Sequence, residues 1–410
     1  MAMVCYNSSV LHSLRVLKHR DFRLLTLSTF LLYAARWTEV VVLGWLVLEL
    51  TNSPFLVGLA ASFRFVGWGL GPLGGAISDR MERRRLMFAA QTVNSLTALV
   101  LLALMVLGWL QVWHLFVAIL ALGTTYAFDY PSRNALVGDI VGSQDLLNGM
   151  ALNRAAQNLT AVVGPVLGGS FMLLVGYSGA YGLVAGMYLA NLAVLLALCR
   201  AGTTYAREAE PIWQGLRKGF AYFLREPRIR ALLMLAALAN LLGFPLTHAL
   251  MPMFARDVLA VGAVGLGFLT AAVAAGALVS NLGLASLRHS RRQGWLLIIG
   301  YIMWPVMLVV FSFSQWFPLS LGILFIGGIF QDVAMVSTAT LLMTSVSDEM
   351  RGRVMGMRGL AVTTLLVGNL VSGALTERYG APFTVMVFGG LAVLLMGGVL
   401  FSTPGIRRPK

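Results

Sequence analysis

Apolar runs of about twenty residues, long enough to cross the roughly 30 Å hydrocarbon core of a bilayer as a helix, recur along nearly the whole chain with short polar gaps between them. The pattern predicts twelve spans, over 24–48, 55–77, 86–108, 113–136, 149–174, 181–199, 230–254, 264–286, 295–313, 317–342, 357–376 and 382–402. One long interval breaks it. Residues 200–229, RAGTTYAREAEPIWQGLRKGFAYFLREPRI, are too polar to span. Within them Trp213, Leu216, Phe220 and Phe223 share a helical face with Arg217 and Lys218 beside it, which predicts an amphipathic helix on the inner leaflet. The expected organisation is therefore a six-helix bundle over 1–199, a cytoplasmic linker over 200–229 and a second six-helix bundle over 230–410. A membrane β-barrel would show alternating segments of about ten residues instead.

Composition agrees. Of 410 residues, 58% are hydrophobic and 11% charged, against about 25% charged in a soluble domain. The net charge of +14 would suit nucleic acid, but its distribution excludes that partner, because no basic face or aromatic-interleaved patch gathers it. The arginines lie in the gaps. Arg80 and Arg83 to Arg85, then Arg288, Arg291 and Arg292, then Arg351 and Arg353 fall on one side, together with Arg15, Lys18, Arg20 and Arg23 at the head and Arg407, Arg408 and Lys410 at the tail. The opposite gaps hold only Arg256 and Arg378, each beside an acid (Asp257, Glu377). The positive-inside rule then places both termini in the cytoplasm. The apolar run after residue 23 is too long for a signal-peptide core and reads as a retained first span. Cys5 and Cys199 both fall at cytoplasmic ends, which argues against a disulfide and leaves no metal-ligand cluster. No phosphate-cradling G-x-x-x-x-G-K-[ST] loop is present and no nucleophile–base pair sits in a plausible pocket. An ATP-driven pump, an enzyme and a bound cofactor are not expected.

The two halves resemble each other. LKHRDFRLL (17–25) before span 1 matches LREPRIRAL (224–232) before span 7, and GGAISDRMERRRL (74–86) has a decayed counterpart in GLASLRHSRRQGW (283–295). Asp129 precedes Asp145 by sixteen residues and Asp332 precedes Asp348 by sixteen, while Gly149 and Gly352 each follow the second aspartate by four. Weak symmetry of this kind is what duplicated transporter halves leave behind.

Between spans 2 and 3, Gly75, Asp79, Arg80, Glu82 and Arg83 to Arg85 form a sequence that resembles the loop 2–3 signature of the major facilitator superfamily, roughly G-x-L-a-D-r-x-G-r-r, with Glu82 in place of the second glycine. That variant, with LELTNSP, FARDVL and DEMRGRVMG, resembles the exporter branch containing siderophore (enterobactin) and macrolide or multidrug efflux proteins. Gly67, Gly71 and Gly75, four apart, line one face of span 2 and admit a close neighbour; the resemblance implies span 11 of the other half. Asp79, paired with Arg80 or Arg83 or facing the N-terminus of span 11, would then be a cytoplasmic latch. In span 5, Gly164-Pro165-x-x-Gly168-Gly169 is similar to the superfamily motif associated with exporters; the proline bends the helix and the glycines pack it against the other half. The equivalent stretch near Val367 to Ser372 lacks the proline.

A charge near the bilayer centre costs about 2.5–3.5 kcal/mol on insertion scales, so each needs a reason. Arg36 and Glu39 in span 1, Arg64 in span 2, Asp129 in span 4 and Asp332 in span 10 are the candidates, four of them on helices that line the cavity in the superfamily. Counting about 1.5 Å per residue brings Glu39 and Arg64 to a similar depth of about 20 Å, and Arg36 neighbours Glu39 on one face. The expectation is that Glu39 sits between two arginines and carries the coupling proton, tuned by Arg36 or Arg64, with a cationic or polar substrate competing. The alternative is a permanent structural ion pair. Asp332, beside Gln331, lacks a cation near it in sequence, and desolvation favours its neutral form, which suits a proton carrier or cation site. Asp129 and Arg133 are four apart in the favourable order for an ion pair. They read as a structural or gating pair around Pro131, with substrate contact by Asp129 as the alternative. Tyr33, Trp37, Tyr126, Asn240 and Gln331 are further candidates for the cavity wall; Thr247 and His248 join Asn240 around Pro245 in span 7, His248 toward the periplasmic end as a candidate titrating group, with plain packing as the alternative.

The reading these features support is an all-α membrane protein of the major facilitator fold. It would be a proton-coupled secondary transporter that exports amphiphilic small molecules across a bacterial inner membrane by alternating access, as a monomer. An uptake symporter or lipid flippase on the same fold is one alternative, and a non-transporting binding or scaffold protein is another.

Overall fold

The computed structural model describes residues 14–70, 77, 81–198, 223–286, 293–403 and 405. The latch residues Gly71, Gly75, Asp79 and Arg80 lie outside them, as does the amphipathic stretch from Trp213 to Phe220.

After a short 3-10 helix (Leu14–Lys18), the chain forms α1 (Arg20–Thr51), α2 (Pro54–Gly69) and α3 (Arg83–Val106). The turn between α1 and α2 is built from local chemistry. Asn52 takes a left-handed φ of 51° and returns its N–H to Leu48 O at 2.8 Å. Ser53 then caps α2, its hydroxyl accepting from Leu56 N at 3.3 Å, and Pro54 opens the helix where its missing N–H costs nothing. An 85-residue helical run, Val112–Leu196, follows. It divides at Gly142 (φ 74°, ψ 176°) and Gly176 (φ 71°, ψ −176°), a conformation essentially restricted to glycine, into α4 (112–141), α5 (143–175) and α6 (177–196).

The second half comprises α7 (Pro227–Val258), α8 (Gly262–Ser286), α9 (Gln293–Ser312), α10 (Phe317–Thr344), α11 (Asp348–Ala361 and Thr364–Tyr379) and α12 (Ala381–Ser402). Among the described residues nine helical runs are long and apolar enough to cross a membrane, the 85-residue run counting as one. Wide turns interrupt α7 at Ala239–Gly243, Leu246–Leu250 and Phe254–Val258. Pro245 and Pro252 each withhold an N–H there, and a wide turn absorbs the mismatch without ending the helix.

Close approaches of backbone hold the bundles together. Within the first half, a Cβ placed on Gly67 would lie 1.9 Å from Gly123 O of α4, and within the second, one on Gly276 would lie 2.0 Å from Phe325 O of α10. The halves meet along two seams. On α2–α11, a Cβ on Gly58 would lie 2.4 Å from Asn369 O; on α5–α8, one on Gly169 would lie 2.5 Å from Ala263 O and one on Gly267 2.5 Å from Pro165 O. The assignment of Gly67 to the span 11 contact is thereby corrected. Gly69, two residues and about 200° around the helix from Gly67, is the one that faces Thr363 of α11, and Gly58 makes the closest approach. The span 5 motif also divides its work. Gly164 and Gly168 pack against Trp37, Thr38 and Val41 of α1 in their own half, whereas Gly169 and the Pro165 carbonyl meet α8 of the other half.

Candidate functional site

Glu39, midway along α1, is fully buried. Arg64 of α2 donates to its Oε1 at 3.1 Å and Tyr188 of α6 donates to its Oε2 at 2.6 Å. Both carboxylate oxygens are therefore used, and Arg64, whose side chain is 12% exposed, is the only member of the ion pair that reaches open space. Arg36 does not flank Glu39 as expected. Its guanidinium lies over the Tyr126 ring, 4.4 Å from the centroid, a cation–π contact available because the i,i+3 geometry leaves the longer side chain free to turn toward α4.

Asp129 and Arg133 of α4 pair through two hydrogen bonds, Nε to Oδ2 at 3.0 Å and Nη2 to Oδ1 at 3.2 Å. The pair is sealed inside the first bundle. Arg133 Nη1 reaches Ser28 and Thr29 of α1 at 2.9 and 3.2 Å, and Gln91 of α3 donates to Asp129 Oδ1 at 2.9 Å. Ser28 and Thr29 donate onward to Asn191 of α6 and Asn153 of α5, at 2.5 and 2.8 Å, while Asn94 joins Gln91 to Thr125. All these groups are buried. The network bonds α1, α3, α4, α5 and α6 to one another and keeps Asp129 off the cavity wall. Sequence reasoning missed its neutral members. The signal was present in α3, where Gln91, Asn94 and Ser95 put three polar groups on one face of an apolar span.

Between the halves runs a ladder of rings. Tyr130 stacks on Tyr126 (5.1 Å) and Tyr126 on Trp68 (5.0 Å); Phe65, one turn from Trp68, meets His248 of α7 edge-on at 4.8 Å. His248 continues to Phe244 (5.7 Å) and Phe244 to Trp304 of α9 (5.1 Å). Tyr33 is buried. Of the other cavity candidates, Trp37 faces α5 at Gly164, Thr247 returns its hydroxyl to Phe244 O at 3.0 Å, and Asn240 spends its donor on Ala236 O at 2.8 Å.

Asp332 is half-buried on α10, where Asn281 of α8 donates to it at 2.9 Å, and neighbouring Gln331 has a buried Oε1 without a partner. Among the described residues no ion pair reaches Asp332, and Arg154 of α5, from the other half, acts on it only at longer range, as it does on Arg358 of α11. Both arginines fall near the starts of predicted spans, where sequence alone cannot tell them from ordinary loop charges.

At the end that the loop charges assign to the periplasm, the second half grips the α1–α2 turn twice. Arg256 of α7 donates to Leu48 O (3.3 Å) and Asn52 Oδ1 (3.0 Å), and Glu377 of α11 accepts from Ser53 Oγ (2.6 Å) and Phe55 N (3.1 Å). At the opposite end Arg83, an expected latch partner, bonds Asp139 of its own half at 2.5 Å. The periplasmic end is thus bonded across the two halves in this structure. Each hydrogen bond to a charged group is worth about 1.5–3 kcal/mol. Replacing Arg256 and Glu377 together by alanine is expected to shift the molecule toward the open state by at least about tenfold. An impermeant maleimide supplied from outside, reacting with a cysteine placed at buried Thr376 in a background without Cys5 and Cys199, would then label faster; unchanged labelling would show that the two grips do not hold this end shut.

Two helical bundles joined along α2–α11 and α5–α8, with buried ion pairs inside the first and a ring ladder running from it into the second, define a secondary transporter of the major facilitator fold. The chain belongs to the transmembrane secretion effector family, whose model it matches over residues 12–408. It is 27% identical over 393 residues to a protein named enterobactin exporter EntS from Shigella boydii serotype 4 (strain Sb227), covering 90% of this chain and 89% of that one. The protein of that name from Escherichia coli O139:H28 is 26% identical over the same length. Among solved structures, a bacterial homolog of the human lysosomal transporter Spinster in an inward-facing, unoccupied conformation superposes with TM-score 0.76 at 13% identity, covering 95% of this chain and 98% of that one. The nucleoside transporter NupG superposes with TM-score 0.75 at 13% identity, covering 95% and 100%. These two likenesses establish the fold.

Proposed function

We propose that this protein is a proton-coupled exporter of amphiphilic small molecules, working as a monomer in a bacterial inner membrane with both termini in the cytoplasm. The observation that carries the coupling is the fully buried Glu39 carboxylate, compensated by Arg64. A buried carboxylate is tolerated while its cation is in place; deprived of it, the group must take up a proton or regain a partner. Arg64 is the member of the pair within reach of the space between the halves. A cargo or water entering there and engaging Arg64 frees Glu39 to accept a proton, and re-formation of the pair expels it. Asp332, half-buried and held by Asn281 of α8, is the second candidate proton site. The ring ladder supplies the amphiphilic surface, and the names of the EntS relatives favour export of siderophore-type cargo.

Glu39→Gln removes the titratable group and keeps a hydrogen-bonding acceptor. Everted vesicles with an acidified interior should accumulate a dye cargo with the unaltered protein and lose that accumulation completely with Glu39→Gln, while downhill exchange in proteoliposomes persists. Undiminished uphill transport by the variant would reject the coupling role, and accumulation only under the opposite gradient would make the protein an uptake symporter.

A further inference from the structure

Asn369 of α11 is fully buried, and neither its Oδ1 nor its Nδ2 has a hydrogen-bond partner among the described residues. An unbonded buried amide is costly at both its acceptor and its donor. The cost falls on a contact between the halves. α11 runs antiparallel to α2 along that seam: Gly373 meets Pro54 and Phe55, Asn369 O meets Gly58, and Thr363 meets Gly69. Asn369 therefore sits midway along a surface that must change when the halves rock.

Its own half offers it no partner. The adjacent Gly368 packs on Leu241 O and Pro245 of α7, and from Leu241 to Leu246 that helix carries no side chain able to hydrogen-bond. One group on α2 matches it. Between Pro54 and Arg64 the single hydrogen-bonding side chain of α2 is Ser62, which is buried. Its hydroxyl lies 2.9 Å from Gly58 O of its own helix and 2.9 Å from Leu366 O of α11. One hydrogen serves those two carbonyls, and the hydroxyl lone pairs stay open to a donor. Asn369 follows Leu366 by three residues, and helical side chains lean toward the N-terminus of their own helix. The amide thus covers the turn of α11 that carries Leu366. A donor without an acceptor and an acceptor without a donor stand on facing turns of opposite halves, and they are not bonded to each other.

We propose, on the reading of the protein as an alternating-access transporter, that Asn369 Nδ2 donates to Ser62 Oγ in the conformation that opens the periplasmic end and is left idle in this one. The idle amide raises the energy of the state held by Arg256 and Glu377, and the bond lowers that of the opposite state. Asn369 thereby counterweighs the two periplasmic grips and keeps the two conformations close enough in energy to exchange.

The test is Asn369→Leu, which keeps the branched shape and removes both polar atoms. The readout is the rate at which impermeant maleimide, supplied outside intact cells, reaches a cysteine at Thr376 in the full chain without Cys5 and Cys199. The replacement is expected to slow labelling about tenfold, the scale of one buried hydrogen bond, and to raise the unfolding temperature in detergent. In a Ser62→Ala background the amide is idle in both states, so Asn369→Leu should change the labelling rate by less than about twofold. A lower unfolding temperature with unaltered or faster labelling would show an amide already satisfied in this conformation and overturns the proposal. Equal slowing with and without Ser62 overturns it too, since the partner would then be another group. Should Asn369→Leu fail to fold, Asn369→Ala removes the same amide and is expected to slow labelling likewise; unaltered labelling by that variant overturns the proposal. Uphill dye transport in everted vesicles separates this inference from the reading it rests on. Transport by the unaltered protein, with labelling indifferent to Asn369→Leu, would sink the inference and leave the transporter standing. Slowed labelling in a protein that moves no dye would do the reverse.

Discussion

Replacing Arg133 by alanine should lower the stability of the folded protein by about 3–5 kcal/mol, the usual consequence of removing one partner from a buried ion pair. The expectation is at the upper end here because Arg133 also supplies hydrogen bonds to Ser28 and Thr29, at 2.9 and 3.2 Å. Its loss leaves Asp129, 3% exposed, with a charge that Gln91 alone must satisfy, and leaves the α1 hydroxyls without their donor. Unfolding in detergent, followed by helicity against denaturant, should show a large drop and poor recovery from membranes. The double replacement Asp129→Ala with Arg133→Met should cost less than the single change, because it removes the orphaned charge as well. Unaltered stability of Arg133→Ala would mean that the five helices around it do not depend on this pair. A smaller loss is expected from Arg64→Gln, because the glutamine keeps a donor for Glu39 and Tyr188 still donates to its other oxygen.

Gly169→Val should abolish transport while leaving the protein folded. A Cβ on Gly169 would lie 2.5 Å from Ala263 O and 3.0 Å from Val264 Cα, both backbone atoms that cannot swing aside. The α5–α8 seam has a second close contact, Gly267 against Pro165 O, so the helices cannot pivot away locally without losing both. Valine therefore props the seam open, and a transporter that cannot close one side cannot complete alternating access. Uphill dye transport should fall to background, and external maleimide should reach a cysteine at Thr376 faster than in the unaltered chain. The adjacent glycines serve as controls for position. A Cβ on Gly164 would lie 2.6 Å from Trp37 Cβ of the same half, so Gly164→Val is expected to destabilise the first bundle instead. Normal transport by a well-folded Gly169→Val would mean that the seam opens and closes without this contact.

What the order of residues determined by itself was everything that depends on the neighbours a residue has along its own helix. The lengths of the apolar runs set the spans, Gly142, Gly176 and Gly380 mark where the backbone leaves the helix, and the i,i+4 spacing of Asp129 and Arg133 makes them partners. Counting residues even brought Glu39 and Arg64 to one depth, where they meet at 3.1 Å. Helical periodicity states which face a side chain occupies, but it does not say which helix covers that face. Hence periodicity points Gly67 to α11, whereas it meets α4; it points Arg36 to Glu39, whereas Arg36 lies on Tyr126; and it is silent on Tyr188, which α6 brings beside α1. Arg154 is separated by roughly two hundred residues of chain from Asp332 and Arg358, which come from two further helices in the other half. Only tertiary packing puts them into one field, because at such separations the energy that fixes a neighbour is the close packing of whole helices, and no local preference of the chain encodes it.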